Sequence, residues 1–273
     1  MELSAIDWNE VIREKHAASS FPREDRHFWD RRAPEFARHA SGSDYIWQFM
    51  DLLRPEPAWT ILDVGCAAGT LAVPLAGKVA SITAMDASEG MLALLNERCR
   101  ELGIENIRSL KGRWEDDWDE LGIGVHDVAI GSRSLLVEDL RSAIEKLDAH
   151  ARERVYISTI VGDGPHDRRI IEGAGRRFHP GAEYIYVVNL LYQMGIFANL
   201  NFTVTETEKS FANVDEAVQG LRWMLQGMTQ EEEERLRGFL PGYLVPANGR
   251  LRIPGPGIVR WAVLWWDKKR GRR

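Results

Sequence analysis

From residue 58 onward, short apolar and β-branched runs alternate with stretches in which apolar residues return every three or four positions. The first pattern has the period of strands and the second that of helices. Strands are predicted at Trp59–Val64, Ser81–Asp86, Ile107–Lys111, Val125–Ile130 and Arg154–Ile160, and helices at Leu71–Ala76, Glu89–Leu102 and Leu140–His150, with Gly103 ending the second helix. Strands and helices in this alternation pack as a doubly wound, mostly parallel sheet with helices on both faces, an α/β fold. Farther along, Asn201–Thr207 alternates like a strand and Ile258–Trp266 is a continuous apolar one, with helical patterns at Val214–Gln226 and Gln230–Phe239 between them. They suit the last two strands of the sheet, the final one antiparallel. Residues 1–57 are polar, helical in pattern and studded with aromatics, and Pro55 and Pro57 stop the helix before the first strand. The chain therefore reads as an N-terminal helical cap, 1–57, followed by an α/β domain, 58–273, with a long insertion at about 162–198 between strands five and six.

The most specific local signal is Ile61-Leu62-Asp63-Val64-Gly65-Cys66-Ala67-Ala68-Gly69-Thr70, a strand ending in an acid and turning through glycines into a helix. Glycine tolerates positive φ and lets a backbone approach a ligand closely, while the helix start and Asp63 set the local field. A dinucleotide fingerprint, G-x-G-x-x-G, needs glycine at the third position. Here Ala67 stands there, which argues against a nicotinamide oxidoreductase. The phrase instead resembles the first motif of the S-adenosylmethionine-dependent methyltransferases of the seven-stranded Rossmann-like type, close to hydrophobic-Asp-hydrophobic-Gly-x-Gly-x-Gly, with Ala67 for the middle glycine. The resemblance implies a seven-stranded sheet, S-adenosylmethionine as cofactor, and contacts to it from Asp63, Gly65, Cys66, Ala67 and Gly69.

Asp86 ends the second strand about 20 residues after the glycine turn, where nucleotide-binding α/β folds place an acid that accepts hydrogen bonds from ribose hydroxyls. The phrase after it, Ala87-Ser88-Glu89-Gly90-Met91-Leu92, is similar to one common in small-molecule methyltransferases, with Ser88 capping the next helix. The same resemblance places Ala87 and Met91 at the cofactor, Trp114 and Glu115 beside adenine, and Ser132, with Arg133 after it, near the sulfonium. Phe28–Ala37 resembles the amphipathic segment that precedes the core in such enzymes and folds over the cofactor, which makes Trp29 a substrate candidate. The insertion supplies others: His166, His179, Tyr184 and Tyr192. Its length and its polar aromatics suit an acceptor pocket over the carboxyl ends of the strands.

The acceptor is narrowed by subtraction. The loop Gly131-Ser132-Arg133-Ser134-Leu135 lacks the proline-aromatic clamp of enzymes that methylate exocyclic amines of bases. Neither Cys66 nor Cys99 stands where cytosine C5 chemistry needs its nucleophile, and no metal-ligand spacing is visible. Net charge is −6, so nucleic acid is disfavoured as a partner, and no secretory signal or membrane span is evident. The expectation is a cytoplasmic enzyme transferring a methyl group to a small molecule, with no catalytic residue assigned. RNA or protein acceptors, or a cofactor-binding protein without turnover, are the alternatives.

Overall fold

The computed structural model describes residues 6–20, 29–30, 33, 44–255 and 257–268. Two helices, α1 (Trp8–Ala17) and α2 (Asp44–Leu53), precede the sheet. Then β1 (Thr60–Val64), α3 (Ala72–Ala76), β2 (Ser81–Asp86), α4 (Glu89–Leu102), β3 (Ile107–Lys111), β4 (His126–Ser132), α5 (Leu140–Ala149) and β5 (Ala151–Ile160) follow in the predicted alternation. After β5 come α6 (Arg168–Gly173), α7 (Tyr184–Gln193), β6 (Asn199–Thr207), β7 (Ser210–Phe211), α8 (Val214–Leu221), α9 (Gln230–Tyr243), β8 (Val245–Ala247), β9 (Arg250–Arg252) and β10 (Gly257–Asp267).

Seven strands form one sheet in the order β3-β2-β1-β4-β5-β10-β6, with β1 to β5 parallel and β10 antiparallel to both its neighbours. Strand order reverses between β1 and β4, the place where open α/β sheets bind ligands beyond their carboxyl ends. Side chains alternate strictly across the sheet. Leu62, Val64, Ala129, Val155, Ile157 and Leu264 face α1, α5 and α7 in one core. Ile61, Ile82, Val128, Ile130, Tyr156 and Val263 face α2, α3 and α4 in the other. The same parity carries Asp63, Ser132 and Ser158 onto the second face, beneath α2.

The two N-terminal helices lie on opposite faces of the sheet. Ile12 of α1 is buried in the first core, whereas Tyr45, Phe49 and Leu53 of α2 are buried in the second. Of the Phe28–Ala37 phrase only Trp29, Asp30 and Ala33 fall among the described residues.

The insertion between β5 and β6 also divides. Ile170, Ile171 and Phe178 join Phe211, Val218, Leu221, Leu236 and Leu240 in a small separate core, while α7 covers the first face of the sheet. This second core is closed by a three-stranded sheet, β7-β9-β8, that periodicity does not reveal. Strands of two or three residues are shorter than the run over which a period of two can be read.

Candidate active site

The turn after β1 places three residues at alternate positions in the left-handed region: Gly65 (φ 75), Ala67 (φ 50) and Gly69 (φ 77). The amides of Gly65 and Cys66 both donate to the Met85 carbonyl (2.8 and 3.0 Å), and those of Gly69 and Thr70 to the Cys66 carbonyl (3.0 and 3.3 Å). The glycines answer to the protein's own packing. A Cβ on Gly65 would lie 2.3 Å from the Ser134 Cβ, and one on Gly69 would lie 2.5 Å from Leu95 Cδ1. Room for a ligand, expected from their missing side chains, is therefore only part of the reason for glycine, because protein atoms already fill that space. Ala67 carries the strain that glycine avoids, about 1–2 kcal/mol for an L-residue in this conformation. Ala67→Gly should relieve it against about 0.5–1 kcal/mol of extra unfolded-chain entropy. The expected outcome is a thermal midpoint unchanged or slightly raised. A drop of several degrees would show that the Ala67 methyl, packed with Ala33, Ala68 and Met91, stabilises the loop by more than its strain costs.

Asp86 is drawn into this loop. Its Oδ2 accepts from the Ala67 amide (2.8 Å) and its Oδ1 from the Ser88 amide (2.9 Å). Burial pushes its pKa up while these amides pull it down. Asp30 accepts from the Ser88 hydroxyl (2.5 Å) and the Gly90 amide (3.1 Å), so this residue is fastened to the start of α4. The sequence does not announce Asp30, since a lone acid in an amphipathic phrase gives no hint of a partner 58 residues away.

Asp63 is the electrostatic anomaly. It is 2% exposed, and its Oδ2 has no hydrogen-bond partner among the described residues. Desolvation, with a smaller push from Asp86, raises its pKa to about 7. A buried carboxylate left unpaired is costly, and a cationic partner would restore its ionised form. Cys66 beside it is buried and its thiol pKa is raised well above the ordinary value, chiefly by burial, so it is no nucleophile.

Toward β5 the site changes character. The Tyr45 hydroxyl shares hydrogen bonds with Ser132 Oγ (2.6 Å) and Ser158 Oγ (2.7 Å), bridging the carboxyl ends of β4 and β5. Burial raises the Tyr45 pKa, so the phenol keeps its proton near neutrality. Arg133 (φ 56) follows Ser132, and its guanidinium carbon lies 4.2 Å from the Tyr45 ring centroid. The sequence marks Arg133 only as the neighbour of Ser132 and gives Tyr45 no role at all. Tyr45 lies 87 residues from Ser132, and nothing local links them.

The remaining predicted residues scatter. Ala87 lies between Asp86 and Ser88, and Met91 is buried against Ala33 and Ala68. The Trp114 ring presses on Gly131 of β4, 3.0 Å from where a Cβ would stand, and its centroid is 5.6 Å from that of Trp118; Glu115 is exposed. Trp29 adjoins Asp30 and is thereby held near α4.

The substrate candidates of the insertion are not gathered at the turn. His166 packs on Trp223 (5.0 Å) in the separate small core. His179 exchanges hydrogen bonds with Ser20, its carbonyl accepting from the Ser20 amide and its own amide donating to Ser20 Oγ. Tyr184 stands edge-on to Phe202 of the outermost strand β6 (5.3 Å). Tyr192, at the far end of α7, meets Phe197 (5.9 Å) just before β6 begins. Because β6 runs parallel to β5, Tyr192 lies at the end of the sheet opposite the glycine turn. The four residues are thus spread over the small core, the neighbourhood of Ser20 and the two ends of α7. A polar-aromatic composition cannot tell which end of a helix faces the site.

Comparison with known proteins agrees with this geometry. Residues 61–154 match a methyltransferase domain model. An uncharacterised protein of Haemophilus influenzae is 33% identical over 245 residues, covering 89% of each chain. In fold, the YcgJ protein of Bacillus subtilis superposes with a TM-score of 0.57 at 12% identity, over 86% of this chain and all of that one. A methyltransferase of Geobacter sulfurreducens in complex with S-adenosyl-L-homocysteine gives 0.51 at 15% identity, over 84% and 94%. Sheet order, glycine turn and domain match together place the chain in the class I S-adenosylmethionine-dependent methyltransferase family, whose cofactor is S-adenosylmethionine.

Proposed function

We propose that the chain transfers a methyl group from S-adenosylmethionine to a small-molecule acceptor held over the carboxyl ends of β4 and β5. The observation that carries this reading is the buried Asp63 carboxyl beside the glycine turn, whose Oδ2 has no hydrogen-bond partner among the described residues. It fits the ammonium group of the cofactor's amino-acid end, a cation that would satisfy this buried oxygen. Asp86 keeps lone pairs for ribose hydroxyls while its two oxygens hold the loop amides. Gly65, Cys66, Ala67 and Gly69 supply the backbone wall, and Ala87, Met91, Trp114 and Glu115 the adenine side. Ser132 stands at the boundary between the cofactor and acceptor halves.

When bound, the cofactor supplies a methyl carbon already activated by a sulfonium. Asp63, Asp86 and the glycine turn would hold the cofactor so that an acceptor lone pair could take the methyl group as the carbon–sulfur bond breaks, any acceptor proton passing to solvent. The protein's part is alignment and exclusion of water. The half-buried Ser132 hydroxyl orients a polar acceptor group, and the buried Tyr45 and Ser158 hydroxyls fix it from below. Tyr45 stays protonated near neutrality, so it orients without removing a proton. A small molecule is favoured over RNA by the net charge of −6. No helix among the described residues is long and apolar enough to cross a membrane.

Asp86→Ala should weaken cofactor binding by about 1.5–3 kcal/mol, typical of hydrogen bonds to a charged group, or tenfold and more. Calorimetric titration of a folded variant reads this directly; unchanged affinity would remove Asp86 from the cofactor. Turnover is tested with metabolite extracts and a methyl-labelled cofactor, followed by mass spectrometry of products. Tight cofactor binding without any labelled product, across small-molecule, RNA and protein fractions, would favour a binding protein instead.

A further inference from the structure

Arg133 has chemistry that methyl transfer alone does not use. Its backbone sits in the left-handed region, held there by an amide that donates to the Ser158 carbonyl (3.2 Å) and hydroxyl (3.0 Å). That conformation is unfavourable for an arginine and persists only where surrounding structure enforces it. The guanidinium rests on two rings, its carbon 4.2 Å from the Tyr45 centroid and 5.4 Å from that of Trp261, which stands opposite Ile160 on β10. Both ring faces favour a cation without occupying its N–H groups.

What is absent from its partners is a carboxylate. Other partly buried arginines of this chain are paired: Arg154 with Asp267 at 2.8 Å, Arg176 with Glu232 at 2.7 Å. The Arg133 guanidinium has no hydrogen-bond acceptor among the described residues, although burial destabilises its charge. Asp63, in β1, and Arg133, just past β4, stand at the ends of different strands and form two poles of opposite charge. One pole lies on β1 at the glycine turn. The other leans across β5 toward β10, on the side away from the cofactor loop. A planar fork of five donors, half-buried between two aromatic rings and with no carboxylate paired to it among the described residues, matches an oxyanion that binds through two oxygens.

We infer that Arg133 receives an oxyanion, a carboxylate or a phosphate monoester, carried by the methyl acceptor, so that the enzyme selects anionic acceptors. The inference rests on the methyl-transfer reading for its biological meaning, but the anion site itself can be tested independently. Protein saturated with S-adenosylhomocysteine is titrated at constant ionic strength with benzoate and with phenyl phosphate, following the Arg133 Nε–Hε resonance, which Arg133→Lys assigns. A saturable shift for at least one probe is expected, its affinity reduced tenfold or more in Arg133→Met and partly retained in Arg133→Lys. The probe that binds tells carboxylate from phosphate. S-adenosylhomocysteine affinity should stay within about twofold in both variants. No saturable shift in the unaltered protein overturns the inference, as does equal probe binding in Arg133→Met. A tenfold loss of S-adenosylhomocysteine affinity in the variants would mean that the guanidinium serves the cofactor's own carboxylate, which also overturns it. If Arg133→Met does not fold, the resonance shift in the unaltered protein still decides. Failure of the unaltered protein to bind S-adenosylhomocysteine would count against methyl transfer, while the probe titration without it would still report on Arg133.

Discussion

Asp63→Asn is expected to stabilise the cofactor-free protein at pH 8 while weakening its hold on S-adenosylmethionine. In the unfolded chain this carboxyl ionises near 3.8; in the fold it keeps its proton to about 7. Below pH 4 it is neutral in both states and costs nothing. As pH rises toward 7 the unfolded chain releases a proton that the folded protein retains, so stability falls through that window. At 1.36 kcal/mol per unit of pKa difference the full loss is about 4 kcal/mol. An asparagine does not ionise, though its amide also lacks partners, so the variant should recover about 2 kcal/mol at pH 8. Urea midpoints at pH 5 and pH 8 test this: the variant's advantage should grow with pH, and parallel profiles would remove Asp63 as the source. The cofactor side has the opposite sign. Pairing with an ammonium favours the ionised carboxylate, so binding at pH 7 should release about half a proton, read from binding enthalpies in buffers of different ionisation enthalpy. The variant should lose this proton release and at least tenfold in affinity. A residue that destabilises the free fold and is retained at the ligand is the usual trade between stability and function.

The parts of this arrangement that are legible in the sequence are those written in local order. Strand β2 and helix α4 can be read to the residue, because an alternating run and a capped, glycine-stopped helix each carry their signal within a few positions. Asp86 is found because the fold fixes its distance from the glycine turn. The grouping of Tyr45, Ser158 and Arg133 is not, since what brings them together is strand parity and the docking of α2, and neither has a sequence period. The insertion misleads for a related reason. Its aromatics at His166 and Phe178 serve a second core completed by helices some 50 residues later, and long-range completion of a core leaves no mark on the segment that needs it. Gln48 shows the same limit: its amide donates to the Val204 carbonyl (2.7 Å) and accepts from the Val204 amide (2.8 Å), covering part of the exposed edge of β6.

Gly65→Ala should cost the fold about 3 kcal/mol or more, and the cost should come from two separable sources. The first is backbone: φ 75 places the residue in the left-handed region, worth about 1–2 kcal/mol for any L-residue. The second is overlap, since the new Cβ would lie 2.3 Å from Ser134 Cβ and 2.9 Å from its hydroxyl. Ser134 cannot simply move aside, because its hydroxyl donates to the Val64 carbonyl at 2.7 Å and so ties the loop after β4 to the end of β1. Ser134→Gly removes the obstructing atoms and should itself cost about 1 kcal/mol for that hydrogen bond. In the double variant only the backbone strain of the introduced alanine should remain. Denaturant unfolding of the four proteins in the cycle should then show the two substitutions to be less than additive, with a coupling of about 1–2 kcal/mol. Additive losses would mean that the glycine is required for its conformation alone. A folded Gly65→Ala protein with unaltered stability would deny both sources. The same cycle read by cofactor titration separates the roles of this turn, because a loop distorted by overlap should regain affinity when Ser134 is cut back, whereas a methyl group standing in the cofactor's own space should not.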